Sequence, residues 1–280
     1  MDAEPPHARS AATPSGRRPG LSELARARML ARFYDLDVRD VTYDAELYQR
    51  LANEVQGAVL ELAVGSGRLA IPLALAGHRV VGVDHDAAML ERARAAWERV
   101  RGPIERDRFS VVEADLRTFR SAERFSLAFI AVNTFLLAED DAARLAVLGV
   151  MRRHLGPGGI AVVEASTPDD VELASFDGRL QLEWLRQDPE TGDQVTKLIS
   201  ARHDPESSSV SLCQVFEWTA RHGGPISRVT RMDTLHLVSA ERLGALAAQA
   251  GFQRVESWGD HLLIPHGPGS HRVILVARLV

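Results

Sequence analysis

Cysteine is almost absent from this 280-residue sequence, in which Cys213 is the one thiol. A single cysteine cannot form a disulfide framework or a cysteine-rich metal centre within the chain, and such usage indicates a reducing, cytoplasmic compartment. No apolar run of about 18 residues occurs, so the sequence predicts no membrane-spanning helix. Residues 1–20 are rich in Pro, Ala and Arg and lack the apolar segment of a signal sequence, so we predict a disordered tail there.

The sequence also lacks an excess of positive charge and several short catalytic motifs. Its formal net charge of −5 at pH 7 gives no overall attraction to nucleic acid or to an anionic membrane. We therefore expect a small-molecule partner, with no nucleic acid and no membrane surface. The G-x-S-x-G, H-E-x-x-H and Walker patterns are missing as well. Their absence argues against the simplest hydrolases, zinc peptidases and nucleotide triphosphatases.

The most informative segment is VLELAVGSGRLAIPLALAGHRVVGVD, residues 59–84. An apolar run, a glycine turn, a helical stretch over 68–76 and a second apolar run over 79–83 follow one another. This order predicts two parallel strands joined by a right-handed crossover helix. The small residues Gly65 and Gly67 let backbone amides approach a ligand closely.

The ligand of this turn needs a separate argument, because such sites serve several ligands. GSGRLA fits the dinucleotide pattern G-x-G-x-x-G/A, and Asp84 ends the second strand, where a carboxylate can bind a ribose. Glu61 argues against a dinucleotide, since its carboxylate enters the same turn and would repel a pyrophosphate. A cationic ligand without phosphate fits better, and NAD remains the alternative.

The stretch LELAVGSGRLAIPLALAGHRVVGVDHDAAMLERAR resembles the first two motifs of the class I S-adenosylmethionine (SAM) dependent methyltransferases. In that family one acidic residue precedes the glycine turn, a second ends the second strand and a third follows the third strand. Glu61, Asp84 and Asp115 satisfy this order. Ala63 stands where many members carry glycine, although small-molecule methyltransferases with alanine there are familiar.

The resemblance implies an α/β fold with a doubly wound, seven-stranded, mostly parallel sheet. Residues 21–166 and 235–280 would form the SAM-binding core with an N-terminal helical lid. Over 167–234 the hydrophobic pattern changes from helical period to alternation and is interrupted by turn-forming segments. We therefore predict an inserted antiparallel sheet of three or four strands. Antibiotic-sugar N,N-dimethyltransferases, which the chain resembles, carry such an insert over the substrate pocket, and in some of them it makes a dimer.

Two further apolar strands are expected to carry site residues at their carboxyl ends. The segment RFSVVEAD is interpreted as a third strand that ends at Asp115, and residues 127–132 as a fourth strand that ends at Asn133. The resemblance places Asp115 at the adenine amino group and the fourth-strand tip beside the transferable methyl group. Alternatively, Asp115 caps a turn and Asn133 satisfies backbone groups. The sequence AVNTF lacks the proline motif of many methyltransferases that act on nucleic-acid bases.

Further cofactor contacts follow from the same resemblance. Tyr34 is the lid candidate, with packing of a helix onto the sheet edge as the alternative interpretation for this tyrosine. His85 and Met89 occupy positions that contact adenine in the family. The full set of residues expected to bind S-adenosyl-L-methionine is Tyr34, Glu61, Ala63, Gly65, Ser66, Gly67, Asp84, His85, Met89, Asp115, Leu116 and Val132.

Methyl transfer from SAM is a displacement on carbon, and holding the reactants in line supplies much of its rate. Some acceptors also need a proton removed, for which histidine is the usual group. His236 near the end of the insert and His261 in the last loop are the candidates, and Asn133 is a candidate substrate contact. Both histidines could instead be surface residues. Because AVNTF lacks the carboxylate that binds magnesium in catechol O-methyltransferases, no metal is predicted.

The sequence therefore predicts a SAM-dependent methyltransferase of a small natural-product or sugar-like acceptor, with oxygen or nitrogen as the methylated atom. Two other functions stay open. One is a noncatalytic protein that keeps SAM as a scaffold, and the other is an NAD-dependent oxidoreductase. A homodimer is a further expectation.

Overall fold

The computed structural model describes residues 22–102 and 106–279. The tail predicted at residues 1–20 lies outside the described residues. The chain forms a seven-stranded sheet and a separate four-stranded sheet, which confirms the predicted α/β class with an additional antiparallel sheet. Among the described helices, none is long and apolar enough to cross a membrane.

Helices and strands alternate through the first half of the chain. The α-helices are α1 (Glu23–Val38), α2 (Ala45–Val55), α3 (Ala70–Leu75), α4 (Ala87–Val100), α5 (Asp141–His154), α6 (Asp170–Ser175) and α7 (Ala240–Gln249). The strands are β1 (Val59–Leu62), β2 (Val80–Asp84), β3 (Phe109–Glu113), β4 (Phe125–Ile130), β5 (Leu155–Ser166), β6 (Gln181–Gln187), β7 (Gln194–Asp204), β8 (Ser209–Thr219), β9 (Ser227–His236), β10 (Arg254–Trp258) and β11 (Arg272–Arg278).

The large sheet has the strand order β10-β11-β5-β4-β1-β2-β3. Strands β1 to β5 pair in parallel, and β11 runs antiparallel to both β5 and β10. The final hairpin therefore brings one antiparallel strand into the sheet. The strand order reverses between β1 and β4, and ligands of open parallel sheets bind at the carboxyl ends of the strands beside such a reversal.

Helices cover both faces of the large sheet. Strands β1 and β2 are buried at every position, as a sheet between two helical layers requires. On one face α2, α3 and α4 contribute Tyr48, Leu73 and Leu90 to the core. On the other face α5 and α7 contribute Met151 and Leu243. This double packing fixes the strand ends that carry the site residues.

Two strands end earlier than the sequence predicts. β3 ends at Glu113 rather than Asp115, because its last parallel pair is Asp84 with Glu113. β4 ends at Ile130 rather than at Asn133, because Val132 has a φ of 57°. This left-handed conformation is incompatible with an extended strand. Both site segments are therefore turns that follow their strands.

Two other boundaries also differ from the prediction. α3 begins at Ala70 instead of residue 68, because the turn that contains Gly67, with a φ of 87°, continues to Leu69. The glycines and the proline of the GPGG segment, residues 156–159, favour a turn, yet this segment belongs to β5. A register shift in the pairing of β4 with β5 accommodates these residues within the strand.

The four-stranded sheet has the order β6-β7-β8-β9, with every pair antiparallel. Its inner face buries Val195 and Phe216 against Phe33 of α1. Leu182 and Trp184, two residues apart in β6, are separated by a register shift, so Leu182 is exposed while Trp184 packs inward. The sheet ends at residue 236, slightly beyond the predicted insert.

Candidate cofactor and acceptor site

A cavity of about 610 Å³ lies at the carboxyl edge of the large sheet, between that sheet, α1 and β9. This volume is typical of small-ligand sites. The predicted cofactor residues that line it are Tyr34, Ala63, Gly65, Asp84, His85, Met89, Asp115 and Leu116. The remaining predicted residues, Glu61, Ser66, Gly67 and Val132, belong to the same strand and turns but not to this lining.

Asp84 fixes the glycine turn to the end of β2. Its Oδ2 accepts a hydrogen bond from the Gly65 amide at 2.9 Å, and its Oδ1 accepts one from the Asp86 amide at 2.9 Å. Asp84 is buried, yet it lines the cavity. A carboxylate has roughly four acceptor positions, so capacity remains for the hydroxyl pair of a ribose.

The glycine turn depends on left-handed backbone conformations. Gly65 has a φ of 56°, Gly67 a φ of 87° and Ala63 a φ of 59°. Glycine adopts this region freely, whereas a residue with a Cβ is strained there by about 1–2 kcal/mol. The left-handed backbone at Ala63 explains why many class I SAM-dependent methyltransferases, the family that this chain resembles, carry glycine at this position.

Replacing Ala63 with glycine is expected to stabilise the ligand-free protein by about 0.5–1 kcal/mol. Relief of the left-handed alanine should exceed the entropy that glycine adds to the unfolded chain. Chemical denaturation measures the difference. The matched control is Ala74→Gly within α3, where the same change should destabilise the helix. A loss of stability in both variants would contradict this interpretation of Ala63.

Tyr34 of α1 covers the glycine turn. Its ring atom Cε1 would lie 3.7 Å from a Cβ built on Gly65. Burial raises the pKa of Tyr34, and the nearby Arg68 guanidinium only partly opposes the rise, so the phenol is neutral at physiological pH. Packing onto the sheet, which was the alternative for Tyr34, is observed for Tyr48. Tyr48 is fully buried, and its ring centroid lies 4.4 Å from that of Phe129.

Glu61 is a buried carboxyl group in β1, directly before the glycine turn. It is 4% exposed, and its Oε2 has no hydrogen-bond partner among the described residues. Burial raises the pKa of Glu61 well above its ordinary value, although the Arg68 guanidinium and the Ala70 amide act to lower it. A buried acceptor without a partner is costly to the folded state. A ligand ammonium group would satisfy this oxygen.

Asp115 lies in the turn after β3, and its carboxylate faces Arg117. Arg117 Nη2 is 2.6 Å from Asp115 Oδ2, and the Arg117 amide donates to Oδ1 at 2.8 Å. These bonds lower the pKa of Asp115. The side chain is 39% exposed and lines the cavity. Asp115 therefore stabilises its own turn, as the alternative interpretation expects, and its contact with adenine stays a prediction.

His85 and Met89 lie on either side of the start of α4. The His85 side chain is 79% exposed, and it borders the mouth of the cavity. Met89 is buried and packs with Ala31 of the lid helix α1. The two residues thus present an exposed polar edge and a buried apolar wall to the space beside Asp115.

None of the three predicted catalytic residues belongs to the cavity lining. His236 ends β9, outside the cavity lining, and its carbonyl oxygen accepts a hydrogen bond from Arg144 Nη2 at 2.7 Å. Asn133 Oδ1 accepts one from the Ser166 amide at 2.8 Å. Asn133 thus ties the end of β4 to the end of β5, which agrees with the alternative that it satisfies backbone groups.

His261, the third predicted catalytic residue, belongs to a buried polar network that the sequence analysis missed. His261 Nε2 lies 3.2 Å from Glu164 Oε1. Nearby, Arg68 binds both carboxylate oxygens of Asp44 at 2.7 and 2.6 Å. Glu164 had a sequence signal, because it is a lone carboxylate in the apolar run IAVVEA, as Glu61 is in VLEL. No pattern in the sequence indicated the pairing of Asp44 with Arg68.

The network has some features of a metal site. Asp44, Glu164 and His261 each offer a ligand atom within 4.8 Å of the others. However, Arg68 already binds Asp44, and Arg272 Nη1 lies 2.6 Å from Glu164 Oε1. These guanidinium groups supply the positive charge that a cation would bring, so the geometry favours an ion-paired network. The absence of a metal stays a prediction.

Comparisons with known proteins agree with this geometry. Residues 59–159 match the family described as "Methyltransferase domain". A segment of 124 residues, 43% of this chain, is 35% identical to the cypemycin N-terminal methyltransferase of Streptomyces sp. The match spans 46% of that relative, or about half its length.

Solved structures share the fold at low sequence identity. The CcbJ methyltransferase from Streptomyces caelestis is 23% identical with a TM-score of 0.68, over 85% of this chain and 95% of that chain. The sugar N-methyltransferase KedS8 from Streptoalloteichus sp is 20% identical with a TM-score of 0.69, over 98% of this chain and 99% of that chain. At these identities the likeness establishes the fold.

The described residues also fit SAM better than a dinucleotide. The unpartnered Glu61 oxygen suits a cationic ligand, Asp84 has capacity for a ribose, and Asp115 lines the same cavity. The family match covers the segment that carries all three residues. Residues 59–159 therefore match the family described as a methyltransferase domain, and the chain shares its fold with solved S-adenosylmethionine-dependent methyltransferases.

Proposed function

We propose that this protein is an enzyme that methylates an amine nitrogen of a small natural-product or sugar-like acceptor, with SAM as the methyl donor. One observation carries the proposal. A single cavity is lined by Gly65 of the glycine turn, by Asp84 and Asp115 and by Tyr34, and the unpartnered carboxyl of Glu61 belongs to β1, the strand that leads into this turn. An NAD-dependent oxidoreductase would have no use for Glu61 at this position.

The residues of the chain have separate roles in this proposal. Asp84 binds the ribose, Asp115 and Leu116 bind the adenine, and Glu61 binds the ammonium group of the methionine part. Tyr34 covers the glycine turn and excludes water, which favours reaction of two oriented groups. When bound, SAM supplies a methyl group on a positively charged sulfur.

Nitrogen is favoured over oxygen as the methylated atom. The relatives with the most explicit names are a cypemycin N-terminal methyltransferase, the sugar N-methyltransferase KedS8 and the glycopeptide N-methyltransferase MtfA. They differ in the acceptor, which is a peptide terminus, a sugar or a glycopeptide by name, but each name specifies either nitrogen or an amino terminus. The shared nitrogen supports an amine acceptor for the present chain. The names do not specify the rest of the acceptor molecule.

A paired acceptor assay tests the proposal. The purified protein is incubated with SAM and with aminosugar glycosides, short peptides with free amino termini, and matched compounds that carry hydroxyl in place of the amine. Mass spectrometry should show one or two added methyl groups on amines only. Methylation restricted to the hydroxyl compounds would contradict the choice of nitrogen. SAM binding without any product would favour a protein that keeps SAM as a scaffold.

The four-stranded sheet forms the roof of the acceptor side in this proposal. Arg231 of β9 lines the cavity, and Arg231 Nε lies 2.7 Å from Asp233 Oδ2 on the same strand. A polar pair at this point suits a sugar-like acceptor with several hydroxyl groups. A homodimer, a cytoplasmic location and the absence of nucleic-acid binding remain predictions from the sequence, and light scattering of the purified protein would measure the first.

A further inference from the structure

Arg92 of α4 bridges two segments that are far apart in the chain. Its Nε donates to Asp35 Oδ2 of α1, and its Nη2 donates to Glu190 Oε1 in the turn between β6 and β7, both at 2.5 Å. The Arg92 side chain is 21% exposed. A planar guanidinium group can hold two carboxylates in a fixed geometry. Arg92 therefore joins α4, whose Met89 lines the cavity, to the lid helix α1 and to the four-stranded sheet.

The charges around Arg92 stabilise this bridge. Burial opposes the charge of Arg92, but its hydrogen bonds to Glu190 and Asp35 raise the pKa of Arg92 overall. The hydrogen bond from Arg92 is the main reason that the pKa of Glu190 lies below its ordinary value. A second arginine from α1 binds the same turn, since Arg32 Nε lies 2.6 Å from Asp188 Oδ2. The turn is therefore held by cations from both helices.

The lid helix has a larger apolar contact with the four-stranded sheet than with α4. Phe33 of α1 stacks on Phe216 of β8, with ring centroids 5.2 Å apart. The buried members of the apolar cluster between α1 and α4 are Ala31, Ala88 and Met89. Because the free energy of burial rises with apolar area, the contact made by the two alanines and one methionine is the weaker one. The lid helix and the sheet should therefore separate from α4 before they separate from each other.

Arg92 and Arg144 hold opposite ends of the four-stranded sheet. Arg144 of α5 donates to the carbonyl oxygen of His236, the last residue of β9, at 2.7 Å. Strands β7, β8 and β9 are successively antiparallel, so the end of β9 lies far from the turn before β7 that carries Glu190. The chain enters β6 and leaves β9 at the Arg144 end. The end held by Arg92 has no chain connection to the large sheet.

We propose that Arg92 is a positioning residue that holds the lid helix and the four-stranded sheet, as one body, closed over the cavity, and that the cofactor enters and leaves when this bridge breaks. Tyr34, which covers the glycine turn, directly precedes Asp35. Loss of the bond between Asp35 and Arg92 therefore uncovers the turn. This inference rests on the proposed SAM site. The step changes no covalent bond, since only the two ion pairs of Arg92 break and form again.

The binding rates of S-adenosylhomocysteine (SAH) test the proposal. Stopped-flow mixing gives the association rate, and a chase of labelled SAH with unlabelled SAH gives the dissociation rate. Arg92 is not among the residues that line the cavity, so Arg92→Gln should weaken the closed form equally with and without SAH. Both rates should therefore rise about tenfold while Kd stays within about twofold. A weaker Kd with an unchanged association rate, or no change in either rate, would overturn the proposal.

The matched control joins the same two helices at the surface. Arg28 Nε of α1 lies 2.9 Å from Glu91 Oε2 of α4, and both side chains are 56% exposed. Because exposed ion pairs contribute little, Arg28→Gln should change each rate by less than about twofold. An effect of Arg28→Gln as large as that of Arg92→Gln would overturn the proposal.

Glu190→Gln tests the bridge from the other side and also covers poor folding of Arg92→Gln, because Glu190 lies in an exposed turn. The variant keeps the bond between Arg92 and Asp35, so both rates should rise only about threefold. In the Arg92→Gln background the same change should add nothing, since the bond is already lost. Full additivity of the two substitutions would contradict a bridge through Arg92.

Hydrogen exchange of the protein without ligand tests the closure independently of SAH. In Arg92→Gln the amides of α1 and of the turn at residues 188–193 should exchange faster together, by about tenfold, since both belong to one moving body. Faster exchange in α1 alone, or in neither segment, would overturn the proposal. If the wild type binds neither SAM nor SAH, the proposed function fails, and the exchange result still decides whether Arg92 holds the lid helix and the sheet.

Discussion

Replacement of Asp84 by alanine is expected to weaken SAM binding by about 1.5–3 kcal/mol, or roughly 10- to 150-fold in Kd. In the proposed complex Asp84 makes charge-assisted hydrogen bonds to the ribose, which are stronger than neutral ones. The carboxylate also accepts the amides of Gly65 and Asp86 at 2.9 Å. Its removal therefore loosens the glycine turn in addition to deleting the ligand contact.

Two variants separate these effects of Asp84. Asp84→Asn keeps one acceptor for the turn but removes the charge, so its affinity should fall between those of the wild type and the alanine variant. Glu206→Ala, in the exposed turn between β7 and β8, changes the same net charge and should bind SAM normally. Isothermal titration calorimetry gives each Kd. Unchanged affinity in Asp84→Ala would remove Asp84 from the site.

Replacement of Glu61 by glutamine is expected to have opposite effects on stability and on binding. Burial raises the pKa of Glu61 in the folded protein, so at a pH above that pKa the ionised carboxylate destabilises the fold. Glutamine cannot ionise, and the variant should be more stable by about 1–3 kcal/mol without ligand. The same change removes the charge that binds the ligand ammonium group, so SAM affinity should fall roughly 10-fold or more.

The pH dependence of stability provides the control for Glu61. The advantage of Glu61→Gln should begin to decrease as pH falls below the folded-state pKa of Glu61, and it should vanish below the ordinary glutamate pKa of about 4.3, where the carboxyl is neutral in both the folded and the unfolded protein. For Glu164 we expect the opposite effect of charge removal on stability, since the pKa of Glu164 is lowered in the folded state. Glu164→Gln should therefore destabilise at neutral pH, and its deficit should shrink as pH falls below the ordinary glutamate pKa of about 4.3 and disappear below the lowered folded-state pKa of Glu164. If denaturation curves show that both variants are more stable than the wild type, or that both are less stable, this account of the two glutamates is contradicted.

Much of the cofactor half of the site could be predicted because its signals are local. The apolar run, the glycine turn and Asp84 lie within one continuous stretch, and a parallel strand pair brings their ends together. The hydrophobic period likewise indicated the antiparallel sheet, since alternation over several segments identifies strands. These features depend on neighbouring residues, which the sequence shows directly.

The acceptor half could not be predicted because it is assembled from distant segments. Glu164 contacts Tyr48 and Arg272, which are far from it in the chain, and no local pattern specifies such pairs. The left-handed conformation of Val132 also has no sequence signal, since valine disfavours it. The tertiary contact with Glu164 overrides that preference. The fourth strand consequently ends before Val132, and the sequence prediction of its length was wrong.

The attachment of the lid helix illustrates the same point. Lys197 Nζ of β7 lies 2.6 Å from Asp37 Oδ2 of α1, and Trp184 Nε1 donates to Asp37 Oδ1 at 2.7 Å. Arg32 Nε lies 2.6 Å from Asp188 Oδ2. These contacts join α1 to the four-stranded sheet. The predicted lid and the predicted roof are therefore one packed unit, although each was inferred from its own segment.

The most direct test of the central claim is a calorimetric titration of the purified protein with SAM, SAH and NAD side by side. The account predicts micromolar binding of SAM and SAH and no detectable binding of NAD, because Glu61 favours a cation and disfavours a pyrophosphate. Binding of NAD with no response to SAM or SAH would contradict it.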